Sequence, residues 1–326
     1  MKNLSLSQAV AGFTLEMDAR RLSPHTIEDY GRTLRRLQTF LGDPPFAEIT
    51  TEDIRRFMAH LGSEPQAQGG VADVAPIILS NKSLLNIHTG LGALWTWAIR
   101  EGITERHVLR EVARPKPEEP AIIPFTEDDL KRLMAACERT AGYVRPGKRL
   151  TDNKRRTALR DRAIVLLLLD TGIRASELAD MTVQDVDVRN RRIAVTGKGR
   201  KSRMLPISPE TAKAIWKYLT TERASDRMRD PLFTAETGDG MTRITLLCFL
   251  KRLGARAGVA DCHPHRFRHT FAVMFLRNGG NAFELQMALG HTSLGATQTY
   301  MHLAQADLEK KHQEASPVAN WRLGRG

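Results

Sequence analysis

The sequence predicts a mainly helical α+β protein of two domains, and three observations carry that prediction. Apolar residues recur at helical spacing through most of residues 5–102. A run with four prolines, "ARPKPEEPAIIP" at 113–124, then interrupts regular structure, because proline blocks helix at its own position and disfavours it one residue earlier. The second half is helical again except for "VQDVDVRNRRIAVTGKGRKSRMLPIS" at 183–208, where β-branched residues flank a turn at Gly197 and Gly199. The expected layout is a helical domain over 1–112, an extended linker over 113–124, and a mixed helical domain with a small antiparallel sheet over 125–326.

The elements follow in order. Residues 5–22 carry Leu6, Val10, Phe13, Leu15 and Met17 along a first helix. A second begins with Ser23 as N-cap and Pro24 in its first turn, and stops at Gly42. "TTEDIRRFMAHLG" has a threonine cap, an acidic first turn and a terminal glycine, the marks of a third helix. Residues 65–76 read as a loop, and a fourth helix over 79–102 displays Leu84, Ile87, Leu91, Leu94, Trp95 and Ile99. In the second half, Thr126 caps a helix, 141–157 reads as an exposed basic loop, and "LRDRAIVLLLLDTG" is a buried helix ended by Gly172. Two or three short antiparallel strands and then further helices, starting with "SPETAKAIWKYL", complete the chain.

Composition narrows the function. A chain of 326 residues with 41% apolar content can bury two cores. Its formal net charge is +12 (49 Lys and Arg against 37 Asp and Glu), which points to a polyanionic partner, nucleic acid first. The three cysteines, Cys137, Cys248 and Cys262, are scattered, so no disulfide framework is expected and a reducing cytoplasm is. Cys262, His263 and His265 are close together, but no second ligand cluster has zinc spacing, and no metal site is expected. The most apolar run, 163–173, is too short to span a bilayer, so no membrane association is expected.

Four stretches carry chemistry. "TGIRASEL" (171–178) sets Arg174 just after the buried helix, where its planar fork can meet a phosphate, and Glu177 three residues on can fix that fork. "GKGRKSR" (197–203) puts Lys198 and Lys201 in a glycine-rich turn that allows close backbone approach. "HPHRFRHT" (263–270) places His265 and Arg268 at i and i+3 on one helix face, with His269 at i+4 supporting the site or packing. "LGHTSLGATQTY" (289–300) brings His291 ahead of Tyr300, one of only four tyrosines.

Taken in order and spacing, Arg174, Lys198, His265, Arg268, His291 and Tyr300 resemble the catalytic set of the tyrosine recombinases, the family of phage integrases and Xer-like recombinases. "LSPHTIEDYGRTLRRLQTFL" (22–41) is similar to the start of that family's core-binding domain, so the resemblance spans nearly the whole chain. It implies a SAM-like helical core-binding domain followed by the catalytic domain, and a DNA strand transferase that needs no metal, nucleotide or other cofactor. Tyr300 would attack the scissile phosphorus, leaving a 3′-phosphotyrosyl link that conserves the bond energy. Arg174 and Arg268 would stabilise the transition-state charge, Lys198 would protonate the leaving 5′ oxygen, His265 would help take the tyrosine proton, and His291 would hold the phosphate or align its helix.

The implied partner is double-stranded DNA, bound by a dimer on one site and a tetramer in the synaptic complex. Arg32, Arg35 and Arg36 at i, i+3 and i+4 on the second helix, Arg55 and Arg56 on the third, and Lys201 and Arg203 in the turn are the expected DNA contacts. The tail 307–326, with Trp321 and Leu323, is expected either to dock on a neighbouring protomer or to fold back on its own. With the first helix starting at residue 5, no further DNA-binding arm is expected ahead of it, which favours an Xer-like or mobile-element type in the cytoplasm, associated with the nucleoid when on DNA. Two alternatives remain open: a nicking-closing, topoisomerase-like enzyme with the same chemistry, and a DNA-binding regulator that kept the fold without catalysis.

Overall fold

A computed structural model describes residues 4–63, 78–117, 122–139, 153–197, 202–223, 227–290, 300–301 and 318. The chain divides into two compact units, Met1–Pro120 and Ala121–Gly326.

The first unit is helical. Helix α1, Leu6–Ala19, starts from a capping box in which the Gln8 amide donates to Ser5 Oγ at 3.3 Å and the Ser5 amide to Gln8 Oε1 at 3.0 Å. Its buried stripe is Leu6, Ala9, Phe13 and Met17. Leu15, expected on that stripe, is 70% exposed, because the burial repeat at i, i+3, i+7 and i+11 leaves it on the opposite face. Helix α2, Pro24–Leu41, is capped by Ser23, whose Oγ accepts from the Thr26 amide, and closed by Gly42 at φ 72°. Helix α3, Thr51–Ser63, contains Gly62 within its span, so that glycine is not the terminator expected of it. Helix α4 spans Asn81–Arg100. The four helices and the 3-10 turns Phe46–Glu48 and Val108–Glu111 enclose Leu34, Leu37, Phe46, Ile54, Phe57, Leu91, Leu94 and Trp95.

The second unit is built around one buried helix. Helix α5, Glu127–Glu138, starts from a Thr126–Asp129 capping box. Helix α6, Ala158–Thr171, is packed by α5, by α8 (Pro209–Thr221) and by α10 (Pro264–Arg277). Burial on nearly all sides explains why its central run, 163–169, is apolar without a break and not in a single stripe. Its first turn carries a buried ion cluster. Asp161, fully buried, accepts from Arg160 Nη2 at 2.7 Å, Arg155 Nη2 at 3.2 Å and Thr157 Oγ1 at 3.1 Å. The end of the basic loop expected over 141–157 is therefore structural where it is described. The Lys154 backbone pairs antiparallel with that of Arg139, and the Arg155 side chain, 18% exposed, neutralises Asp161. Residues 65–76 lie outside the described residues.

The sheet has three antiparallel strands in the order β1 (Val186–Asp187), β2 (Arg192–Thr196) and β3 (Ser202–Pro206). Ile193 pairs with Leu205, and Val195 with Arg203. Ile193, Val195 and Leu205 bury toward the core, so Arg203, two residues from Leu205, lies on the inward face of β3. Helix α7 (Ala175–Ala179), α9 (Arg243–Ala257) and α11 (Ala282–Leu289) complete the described fold.

Candidate active site

Gly172 aims the first element of the site. It caps α6 in the left-handed region, φ 59° and ψ 21°. A Cβ there would fall 2.5 Å from Phe271 Cδ1. The chain turns at this point and delivers Arg174 to the N-cap of α7. The Arg174 amide donates to Glu177 Oε2 at 2.8 Å, and its Nη1 to Glu177 Oε1 at 3.1 Å. Glu177 thus fixes the Arg174 fork.

Glu177 holds a second guanidinium. Arg203 reaches in from β3, donating Nη1 to Oε1 at 3.0 Å and Nη2 to Oε2 at 3.1 Å, while its Nε donates to the Ala288 carbonyl at 2.9 Å. Burial alone would raise the Glu177 pKa. The Arg203 hydrogen bonds, the Arg174 amide and both guanidinium charges outweigh it and hold the carboxyl below its usual range. Arg203 was expected to contact DNA. In the structure its side chain is 17% exposed, and its donors are engaged by Glu177 and the Ala288 carbonyl.

Helix α10 supplies the centre. His263 caps it, Nδ1 accepting from the Arg266 amide, and Pro264 opens it. Arg268 is buried at 5% exposure, with Nη1 donating to the Gly172 carbonyl at 2.9 Å and Nη2 to the Leu289 carbonyl at 2.8 Å. Burial, then the Arg174 charge, lowers its pKa to about 10, so it stays cationic near neutral pH. The structure thereby sets two arginine charges side by side, held by one carboxylate and two carbonyls.

Tyr300 is 5% exposed and packs with Ala272, Val273, Leu276, Leu285 and Leu289. Its hydroxyl lies 2.8 Å from Nδ1 of His269, one turn along α10 from His265. Burial raises the tyrosine pKa, and the Arg268 charge works against that shift. Burial, then the positive charge of His265, His263 and Arg268, lowers the His269 pKa to about 4. His269 is therefore neutral at pH 7 and able to accept a proton.

His265 was expected to take the tyrosine proton. It is an exposed residue whose ring centroid sits 6.4 Å from that of His269, and the neighbour of the tyrosine hydroxyl is His269. The two histidines lie one turn apart on the same side of α10, and Tyr300 packs beside the later turns, with Ala272, Val273 and Leu276. Partial loss of water, then His263, Arg268, Arg243 and Arg174, lowers the His265 pKa. Lys198, Lys201 and His291 lie outside the described residues.

The other expected DNA contacts sit on the first unit. Arg32 pairs with Glu28 and Asp29, Arg55 with Glu52, and Arg56 with Asp53, all on their own helices. Arg35 is exposed and Arg36 half-buried, with no carboxylate partner for either among the described residues. Exposed pairs of this kind are weak and exchange readily for a phosphate. Arg203 is the expected DNA contact that the fold surrounds with protein partners. Its signal was present in the strand alternation, which puts residue 203 on the same face as Leu205.

The comparisons with known proteins identify the family and the fold. The Phage integrase family model matches residues 124–307, and the model of the phage integrase N-terminal SAM-like domain matches 12–102. The chain is 29% identical over 308 residues to the tyrosine recombinase XerC of Alcanivorax borkumensis, covering 93% of this chain and 91% of the relative. It is 31% identical over 311 residues to the XerC of Roseiflexus castenholzii, again covering 93% and 91%. Among solved structures, the Tn1549 transposon integrase in complex with a circular intermediate DNA superposes with a TM-score of 0.71 at 20% identity, over 94% of this chain and 99% of that one. A lambda integrase dimer bound to a core site gives 0.68 at 16%, over 91% and 95%. At these identities the structural likeness is one of fold.

Proposed function

Because the chain belongs to the phage integrase family, the tyrosine recombinases, we propose that it recombines DNA at specific sites through a covalent bond between Tyr300 and the DNA 3′ end. The observation that carries this reading is the buried Tyr300 hydroxyl, 2.8 Å from Nδ1 of His269 and beside the Arg268 charge.

The proposed chemistry starts with His269 in the tautomer that carries its proton on Nε2. Its Nδ1 accepts the Tyr300 proton as the phenolic oxygen attacks phosphorus. The bond from phosphorus to the 5′ oxygen breaks, and that oxygen takes its proton from Lys198. The product is a 3′-phosphotyrosyl link and a free 5′ hydroxyl. The reverse sequence, with the hydroxyl of a partner strand as nucleophile, completes strand exchange. Arg174 receives the non-bridging oxygens through its exposed fork, and Arg268 supplies a fixed positive charge behind them. His265 lines the approach and His291 steadies the phosphate. No step calls for a metal or nucleotide.

DNA is the proposed partner of both units. Arg32, Arg35, Arg36, Arg55 and Arg56 in the first unit, and Lys201 in the second, contribute phosphate contacts that steepen the salt dependence of binding. The working assembly is a dimer on one site and a tetramer on two, with the tail 307–326 docking on a neighbouring protomer. We place the protein in the cytoplasm, on the nucleoid when bound, as a recombinase of Xer-like or mobile-element type. No described helix is long and apolar enough to cross a membrane.

A plasmid carrying two copies of the cleaved sequence tests the reading. Deletion or inversion of the intervening DNA is expected. Relaxed plasmid with no exchange would instead assign a nicking and closing enzyme, and salt-sensitive binding without breakage would assign a regulator.

A further inference from the structure

Arg203 has no part in the reaction above, yet it makes three hydrogen bonds at the site. Two of them form a fork on both oxygens of Glu177, the strongest geometry open to a guanidinium and a carboxylate. Arg174 gives the same carboxylate one side-chain bond, from Nη1. The Arg174 side chain is 38% exposed and that of Arg203 17%, around a carboxylate at 3%. One buried anion thus serves two cations. The inner one fills both oxygens, and the outer one keeps donors facing solvent. The Nε bond to Ala288 locks the inner fork against the end of α11, where a Cβ at Gly290 would fall 3.0 Å from Arg203 Nη1.

We propose that Arg203 is a positioning residue: by holding Glu177 in a bidentate pair, it leaves the Arg174 fork turned outward to receive the scissile phosphate. The proposal rests on the reading of Arg174 as the phosphate ligand. Without Arg203, Arg174 is the one guanidinium among the described residues left hydrogen-bonded to the buried carboxylate. Attraction inside a low-dielectric site is strong, so Glu177 draws the remaining Arg174 donors onto itself. The phosphate then competes with Glu177 for the same fork. Arg203 acts through charge and hydrogen-bond saturation, not through contact with DNA.

The test uses full-length Arg203→Gln, Arg203→Lys and the double variant Arg203→Gln/Glu177→Gln. A crystal structure of Arg203→Gln is expected to show Arg174 bidentate on Glu177. Arg203→Lys, which keeps the charge but not the fork, serves if Arg203→Gln does not fold, and Arg174 is then expected to take the vacated oxygen. In single-turnover formation of the protein–DNA adduct, Arg203→Gln is expected to be slower by about tenfold to a hundredfold, with DNA affinity in the ground state little changed. Adding Glu177→Gln is expected to restore part of that rate, because a neutral amide no longer attracts Arg174. A residue that only supported the fold would give a double variant slower than either single one.

Arg174 unmoved in the Arg203 variants, or a double variant no faster than Arg203→Gln, overturns the proposal. Absence of an adduct with the wild-type protein counts against the functional reading on that DNA, while the position of Arg174 in the variant structure still decides the role of Arg203.

Discussion

The hydroxyl of Tyr300 lies 2.8 Å from Nδ1 of His269, and both groups are shifted by their surroundings in directions that keep the tyrosine protonated and the histidine neutral at pH 7. A buried phenol with a neutral imidazole at hydrogen-bond distance is the arrangement in which a proton can leave only as the nucleophile attacks. His269→Gln keeps a side chain of similar reach and removes the basic nitrogen. It is expected to slow adduct formation by roughly a hundredfold in single-turnover kinetics, with DNA binding retained.

The same histidine makes a pH prediction for stability. Its folded pKa, about 4, is below the ordinary 6.5, so the unfolded chain takes up the proton first as pH falls. The stability contributed by neutral His269 is complete above about pH 6.5 and is lost between there and about pH 4. His265, His263 and His88 shift in the same direction, so the informative quantity is a difference between proteins. Melting temperatures from pH 7 to pH 4.5 are expected to fall less steeply in His269→Gln than in the wild type.

Arg268 spans two carbonyls that belong to different segments, those of Gly172 and Leu289. Lysine places one compact charge where the guanidinium places a fork. Arg268→Lys is expected to lower the cleavage rate by about a hundredfold to a thousandfold, as for loss of a fixed transition-state donor. Single-turnover rates at saturating protein check this.

Gly172 tests the turn that delivers Arg174. Its φ of 59° disfavours any side chain, and a Cβ would press on Phe271 at 2.5 Å. Gly172→Ala is expected to cost about 1–3 kcal/mol in urea unfolding. Combining it with Phe271→Ala is expected to recover part of that cost, since the colliding ring is gone.

The ion cluster at the start of α6 offers a control remote from the chemistry. Asp161 is fully buried and accepts from Arg155, Arg160 and Thr157. Asp161→Ala strands two arginine charges and is expected to destabilise the second unit by about 3–5 kcal/mol. Urea unfolding followed by far-UV circular dichroism measures it.

Periodicity and caps carried the helices, because those signals are local. Ser23, Thr126 and Gly172 sit at the ends where their side chains or φ values are used. Local pattern also misled where the partner surface decides: Leu15 has an apolar side chain but faces away from the core, and Gly62 is absorbed into α3. At the site, the order of Arg174, Arg268 and Tyr300 was legible because each falls in a distinct motif. The face of Arg203 was legible from strand alternation, but its partner and that of His269 were not, since each is set by a long-range contact. Arg203 meets a carboxylate 26 positions earlier, and His269 meets a hydroxyl 31 positions later. A basic hairpin and a second histidine on a helix have several possible partners until the fold selects one.

The most direct test is covalent trapping on nicked DNA drawn from the sequence around the gene, comparing the wild-type protein with Tyr300→Phe. The account predicts a protease-sensitive adduct with the wild type, a DNA-linked peptide whose modified residue is Tyr300, and no adduct with Tyr300→Phe despite equal binding. An adduct that persists in Tyr300→Phe, or a linkage mapped to another residue, would contradict it.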